Sequence, residues 1–190
     1  MKHYHASLIT LCIIVMAIIG TYGFQYLSGP PLTQPYRAYD SQAITPVPVD
    51  AFDMETIADE RVNIKDLKGK VVLLHFWATW CPPCVVEFPH LKELSDAKPN
   101  DIVVVAISAD RNADVIDTFL NKTFPDGVGD NFLVVHDPMQ KIIQERFQTY
   151  RLPETIIINS QGEMVEKIIG GNTLWGDKEI IEHLMTFKGK

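Results

Sequence analysis

The sequence predicts an α/β domain, with a mixed central sheet flanked by helices, carried behind an N-terminal transmembrane helix. Three observations predict it. Near-continuous apolar runs at residues 71–76, 102–107 and 132–136 alternate with segments of helical spacing, the pattern of strands buried on both faces. A strand pair and a last helix close the chain over residues 156–187. Residues 6–27 carry no charged side chain, enough for a helix of about 20 residues to cross a bilayer.

Taken in order, residues 1–27 read as an uncleaved membrane anchor. A cleaved signal peptide is the competing reading, but no small-x-small cleavage site follows the apolar run. Tyr22, Phe24 and Tyr26 suit the far interface, and Lys2 with the terminal amine on the near side points the domain outward. Cys12 follows Leu11, where a bacterial lipobox wants a small residue, so it is read as lipid-facing or packing. Residues 28–48, with Pro30, Pro31, Pro35, Pro46 and Pro48 among polar residues, read as a semi-rigid spacer.

Residues 49–190 are long enough for one domain with its own core. The whole chain carries -7, and removing the +1 of Lys2, the only charged side chain before Arg37, leaves -8 from there onward. An acidic body of this kind is a poor fit to nucleic acid or anionic lipid. A short hairpin is expected at residues 52–56 and 61–64. After the strand at 71–76 come a helix to Ala97, the strand at 102–107, a helix at 114–120, the strand at 132–136, and a helix opened by Pro138 that runs to Phe147. The strands at 156–158 and 164–169 form a hairpin expected to cover the antiparallel edge, with a helix over 175–187.

The chemistry concentrates at Trp77-Ala78-Thr79-Trp80-Cys81-Pro82-Pro83-Cys84, the junction between a strand and a helix. Pro82 and Pro83 suit the first helical turn, where a missing N–H is no loss, so Cys81 falls at the helix N-terminus. There the macrodipole lowers the cost of ionising its thiol, and Cys81 is expected to be the exposed, reactive sulfur. Cys84, one turn on and on the same face, can attack a mixed disulfide at Cys81 and release the product. A structural disulfide would close too short a loop to constrain much, and half a zinc site lacks two further ligands, Cys12 being distant. Two inert core cysteines leave the flanking prolines and tryptophans without a purpose. Trp77 is expected in the core and Trp80 beside Cys81 on a docking surface.

From about Val49 onward the chain resembles the thioredoxin fold, and more narrowly the membrane-anchored TlpA-type thiol–disulfide oxidoreductases, which include the reductases of cytochrome c maturation. Phe76-Trp77-Ala78-Thr79-Trp80-Cys81-Pro82-Pro83-Cys84-x-x-Glu87-Phe88-Pro89 carries that resemblance. It implies a redox-active Cys81–Cys84 pair without bound cofactor or metal, and protein disulfides as substrates, apocytochrome c among them. It also implies a membrane protein as electron donor, and a single-pass location in the bacterial cytoplasmic membrane with the domain on the periplasmic or outer side. Leu152-Pro153 with Thr155 stands where the family has a cis X-Pro bond against the cysteines, although an arbitrary X-Pro is trans by default. Leu152, Thr155, Trp80, Pro82 and Pro83 then form the substrate side.

Glu87 matches a carboxylate the family places near the cysteines for proton transfer, the alternative being a solvated helix-face glutamate. His75 departs from the family, where the position holds an aspartate or asparagine. It is either a proton acceptor for Cys84 or a hydrogen-bonded core histidine. The same fold could run as a disulfide-donating oxidase. A copper-binding module is the reading from another class, but its relatives use CxxxC and a histidine by the proline loop, where this chain has Tyr150-Arg151-Leu152.

Overall fold

The computed structural model describes residues 15–20 and 40–189. The chain divides into two units, Met1–Pro35 and Tyr36–Lys190, and the fold below is that of the second. Residues 15–20 are helical, and among the described residues no helix is long and apolar enough to cross a membrane. The span expected over residues 6–27 otherwise lies outside the described residues.

The main sheet has six strands in the order β1-β8-β7-β4-β5-β6. These are β1 (Asp40–Pro48), β4 (Val71–Trp77), β5 (Ile102–Ser108), β6 (Phe132–His136), β7 (Glu154–Ile158) and β8 (Glu163–Ile169), while β2 (Asp53–Glu55) and β3 (Arg61–Asn63) form a separate hairpin. The strands β4, β5 and β6 are parallel; β7, β8 and β1 add to β4 in antiparallel succession. Every residue of β4 and β5 is buried, as their unbroken apolar runs require of strands covered on both faces. The hairpin caps the β6 edge through a bridge between Thr56 and Val135.

Strand β1 corrects the expected spacer over residues 40–48, while residues 28–39 of that spacer lie outside the described residues. Its residues pair from Asp40↔Ile169 to Pro48↔Glu163, with a shift in register between Ala43 and Val47. Pro46 and Pro48 are tolerated because this is an edge strand, whose outer side has no ladder to break, and its exposed side chains explain the polar composition. The antiparallel edge is therefore β1, and the expected edge hairpin, β7–β8, lies inside it.

Helix α1 (Pro82–Ala97) buries Cys84, Glu87, Phe88, Leu91, Leu94 and Ser95, one face at helical spacing. Helix α2 (Ala113–Thr123) is capped by the Asn112 side chain, and α3 (Lys178–Met185) is shorter than the helix expected from 175. The helix expected from Pro138 begins instead at Lys141. Asp137 takes the N–H groups of Lys141, Ile142 and Ile143, each at 2.9 Å, and fixes a single π-helical turn, Lys141–Arg146.

Phe88 is the centre of the core between α1 and the sheet. Its ring lies 4.3 Å from Trp77, 5.1 Å from Phe132, 5.3 Å from Phe119 and 5.9 Å from Phe124. Truncating it leaves a cavity that four rings cannot all close, so Phe88→Ala should cost about 3–5 kcal/mol of unfolding free energy. Urea denaturation of both proteins checks this, and a loss below about 1 kcal/mol would show that the cluster is not what joins helix to sheet.

Candidate active site

Cys81 caps the N-terminus of α1, with Pro82 and Pro83 as its first two residues. Cys81 and Cys84 are joined as a disulfide. Cys84 is fully buried and Cys81 retains 5% exposure, so the expected exposed sulfur is instead a nearly covered one, and still the more accessible of the two. The turn before it is braced by Asp110, whose carboxylate accepts from Thr79 N–H at 2.9 Å, Thr79 Oγ1 at 2.8 Å and Ser108 Oγ at 2.7 Å.

A cleft of about 420 Å³ opens at Cys81. Trp80, Pro82, Pro83, Leu152 and Tyr150 line it together with Ala109, Thr149 and three residues about the π-helical turn, Gln140, Ile143 and Gln144. None of the lining side chains is charged, although the domain as a whole is acidic. Trp80 is 66% exposed and Tyr150 74%, so the mouth presents two free aromatic faces next to a disulfide. Sequence reasoning placed Trp80, Pro82, Pro83 and Leu152 here. It missed Tyr150, Gln140 and Gln144, because residues in and around an irregular turn carry no apolar pattern.

Leu152–Pro153 is a cis peptide bond, and Pro153 is buried. Gly171 is held close to both prolines of the site: a Cβ there would lie 3.3 Å from Pro83 Cβ and 3.9 Å from Pro153 Cγ. Thr155, expected on the substrate side, is buried and directed inward. It lies opposite His75 in the antiparallel β4–β7 ladder, and its Oγ1 is 2.9 Å from His75 Nδ1.

Glu87 is not a solvated surface residue. Its Oε2 accepts from Asn172 N–H at 2.8 Å and from the Trp175 indole at 3.1 Å, and its Oε1 faces His75 Nε2 at 3.6 Å. Burial pushes its pKa from 4.5 up to about 7, against the two hydrogen bonds that favour the ionised form. Burial likewise lowers His75 from 6.5 to about 3, so the imidazole is neutral and the pair is not an ion pair at neutral pH. Asn172 and Trp175 were not foreseen, since nothing in the sequence links them to a carboxylate 85 and 88 residues earlier. Among the described residues no group of three or more His, Cys, Asp and Glu side chains is arranged to hold a metal ion.

The Redoxin family profile matches residues 45–183. Thiol-disulfide oxidoreductase ResA of Bacillus thuringiensis (strain Al Hakam) is 36% identical over 123 residues, covering 64% of this chain and 68% of the relative. Sporulation thiol-disulfide oxidoreductase A of Bacillus subtilis is 31% identical over 153 residues, 77% of this chain and 85% of the relative. The crystal structure of StoA from Bacillus subtilis superposes with a TM-score of 0.57 at 27% identity, over 75% of this chain and 98% of that one. These likenesses carry the thioredoxin-like architecture expected from the motif.

The two buried groups act on stability in opposite directions. Glu87 binds its proton more tightly folded than unfolded, so its share is fully present below about 4.5 and is lost as pH rises through about 7. His75 binds its proton less tightly folded, so stability is lost as pH falls from 6.5 towards 3. Glu87→Gln should therefore stabilise the protein more at pH 8 than at pH 5, by about 3 kcal/mol at most. Thermal midpoints of variant and wild type at both pH values test this; an equal difference at the two would contradict the raised pKa.

Proposed function

The chain belongs to the Redoxin family and is a thiol–disulfide oxidoreductase, and from that premise we propose that it works as a membrane-tethered reductase of protein disulfides outside the cytoplasm. Two features outside the fold support the tether and the side: the uncharged residues 6–27 and the absence of positive side chains between Lys2 and Arg37. Apocytochrome c, the substrate implied by the resemblance to TlpA-type reductases, and a membrane electron donor complete the reading.

The observation that carries the direction is the pair of prolines in the first turn of α1. A thiolate at a helix N-terminus is stabilised by the free N–H groups there, and stabilising the thiolate stabilises the reduced form, which makes a couple oxidising. Pro82 and Pro83 have no N–H to offer. Cys81 keeps the helix dipole but loses two of its nearest donors, and the couple is left more reducing.

In the exchange, the Cys81 thiolate attacks one sulfur of a substrate disulfide, forming a mixed disulfide and expelling the first substrate thiolate. Cys84 then gives up its proton, its sulfur bonds to that of Cys81, and the bond to the substrate breaks with its electron pair on the second substrate sulfur. Two electrons have passed to the substrate. Glu87, one turn beyond Cys84 on the same face and with a pKa raised to about 7, is the base for that proton. The uncharged cleft suits neutral or apolar segments around the substrate cysteine.

The potential of the Cys81–Cys84 couple, equilibrated against dithiothreitol or glutathione buffers, should lie near or below about -270 mV; a value towards about -120 mV would make the protein an oxidase. Pro83→Ala restores one N–H and should raise the potential by roughly 30 mV or more. Cys84→Ala should trap substrates on Cys81 as mixed disulfides, and recovery of no trapped protein from cells would remove the exchange role.

A further inference from the structure

His75 and Glu87 meet inside the protein with one nitrogen and one oxygen unused. His75 Nε2 and Glu87 Oε1 are both shut off from solvent without a hydrogen-bond partner, and they face each other. Their separation of 3.6 Å is a little beyond a hydrogen bond, within reach of a small side-chain rotation. The far ends of the two groups are fixed, and differently. Glu87 Oε2 meets a backbone N–H and an indole N–H, which only donate, whereas His75 Nδ1 meets the Thr155 hydroxyl, which both donates and accepts.

This asymmetry decides where a proton goes. With two donors at Oε2, a proton on Glu87 belongs on Oε1, pointing at His75. The carboxyl then donates to a bare Nε2, and Nδ1–H donates to the Thr155 oxygen. When Glu87 is ionised, the ring presents Nε2–H to the carboxylate instead, and the Thr155 hydroxyl donates to a bare Nδ1. Both arrangements are fully hydrogen-bonded, and the imidazole is neutral in each.

We propose that His75 is a positioning residue for Glu87, changing tautomer against the Thr155 hydroxyl so that both proton states of Glu87 are hydrogen-bonded and the ring never becomes charged. The role rests on the exchange reading above: Glu87 takes the proton Cys84 releases on attacking the mixed disulfide, and returns it when Cys84 leaves as a thiolate during re-reduction. Only Glu87 changes charge near neutrality, which agrees with the opposite directions in which burial moves the two groups.

Other charged groups on the adjoining elements are engaged elsewhere. Glu154 of β7 pairs with Lys167 of β8, Asp110 beyond β5 holds Thr79 and Ser108, and Glu166 of β8 pairs with His183 of α3. No other charged group contacts the pair among the described residues.

The test is a pH titration of the full chain, kept in detergent, following the His75 ring nitrogens by nitrogen-15 NMR and the Glu87 carboxyl by carbon-13 NMR. The expected result is a change of tautomer whose midpoint coincides with that of the carboxyl, with no imidazolium signature between pH 5 and 9. An imidazolium in that range, or a single tautomer throughout the carboxyl titration, overturns the proposal. His75→Phe removes both nitrogens and with them the charge-assisted bond to the carboxylate, so the Glu87 midpoint should rise by roughly one pH unit. His75→Asn, whose amide can donate or accept by flipping, should bring it back; unchanged midpoints in both variants overturn the proposal. If His75→Phe does not fold, Glu87→Gln decides: the ring should hold one tautomer at every pH, and a persisting switch contradicts the coupling. None of these readouts needs a substrate, so an intact switch in a protein that fails to exchange disulfides counts against the exchange reading alone.

Discussion

Glu87 is a carboxyl group held out of water, and much of the surrounding structure is arranged to make that tolerable. An unpaired buried carboxylate would be far more costly than anything the nearby packing returns. Helix α1 supplies the group, the segment after β8 supplies the Asn172 N–H and the Trp175 indole, and the central strand β4 supplies His75. Three parts of the chain distant in sequence are thereby fastened at one point. The close approach of Gly171 to Pro83 and Pro153 belongs to the same constraint, because Asn172 reaches Glu87 only if the residue before it can lie against the two prolines.

The disulfide and its cleft are built from the other side by a different device. Asp110 braces the Thr79 turn ahead of Cys81, and Asp137 gathers three N–H groups to start the π-helical turn that forms the facing wall. Each carboxylate stands just past the end of a parallel strand, β5 or β6, where the chain must turn and its N–H groups need acceptors. The reactive pair and its docking surface are held by backbone positioning, and the side chains lining the cleft remain free of charge.

The elements that could be read from sequence were those whose pattern is set by burial. Strands β4, β5 and β6, the presence of helix α1 and the place of Cys81 all followed from apolar runs and from two prolines at a helix start. What was not legible depends on pairing across the chain. Strand β1 is polar and proline-containing because an edge strand is exposed, and that composition is the same as a spacer's. Glu87 could be a solvated or a buried carboxyl and His75 a proton acceptor or a core histidine until their partners were known, and Asn172 carries no local sign of its role. Thr155 looked available to a substrate because its register opposite His75 cannot be seen in one strand alone.

The uncharged lining of the cleft, set in an acidic domain, separates how partners arrive from how they are held. Long-range repulsion or attraction by the body of the protein acts on the encounter and weakens as ionic strength shortens the Debye length, to about 10 Å at 0.1 M salt. Contacts inside the cleft, made with indole, phenol, proline rings and amides, are nearly blind to that screening. Salt around the protein therefore sets how often a substrate reaches Cys81 and leaves the discrimination between substrates unchanged.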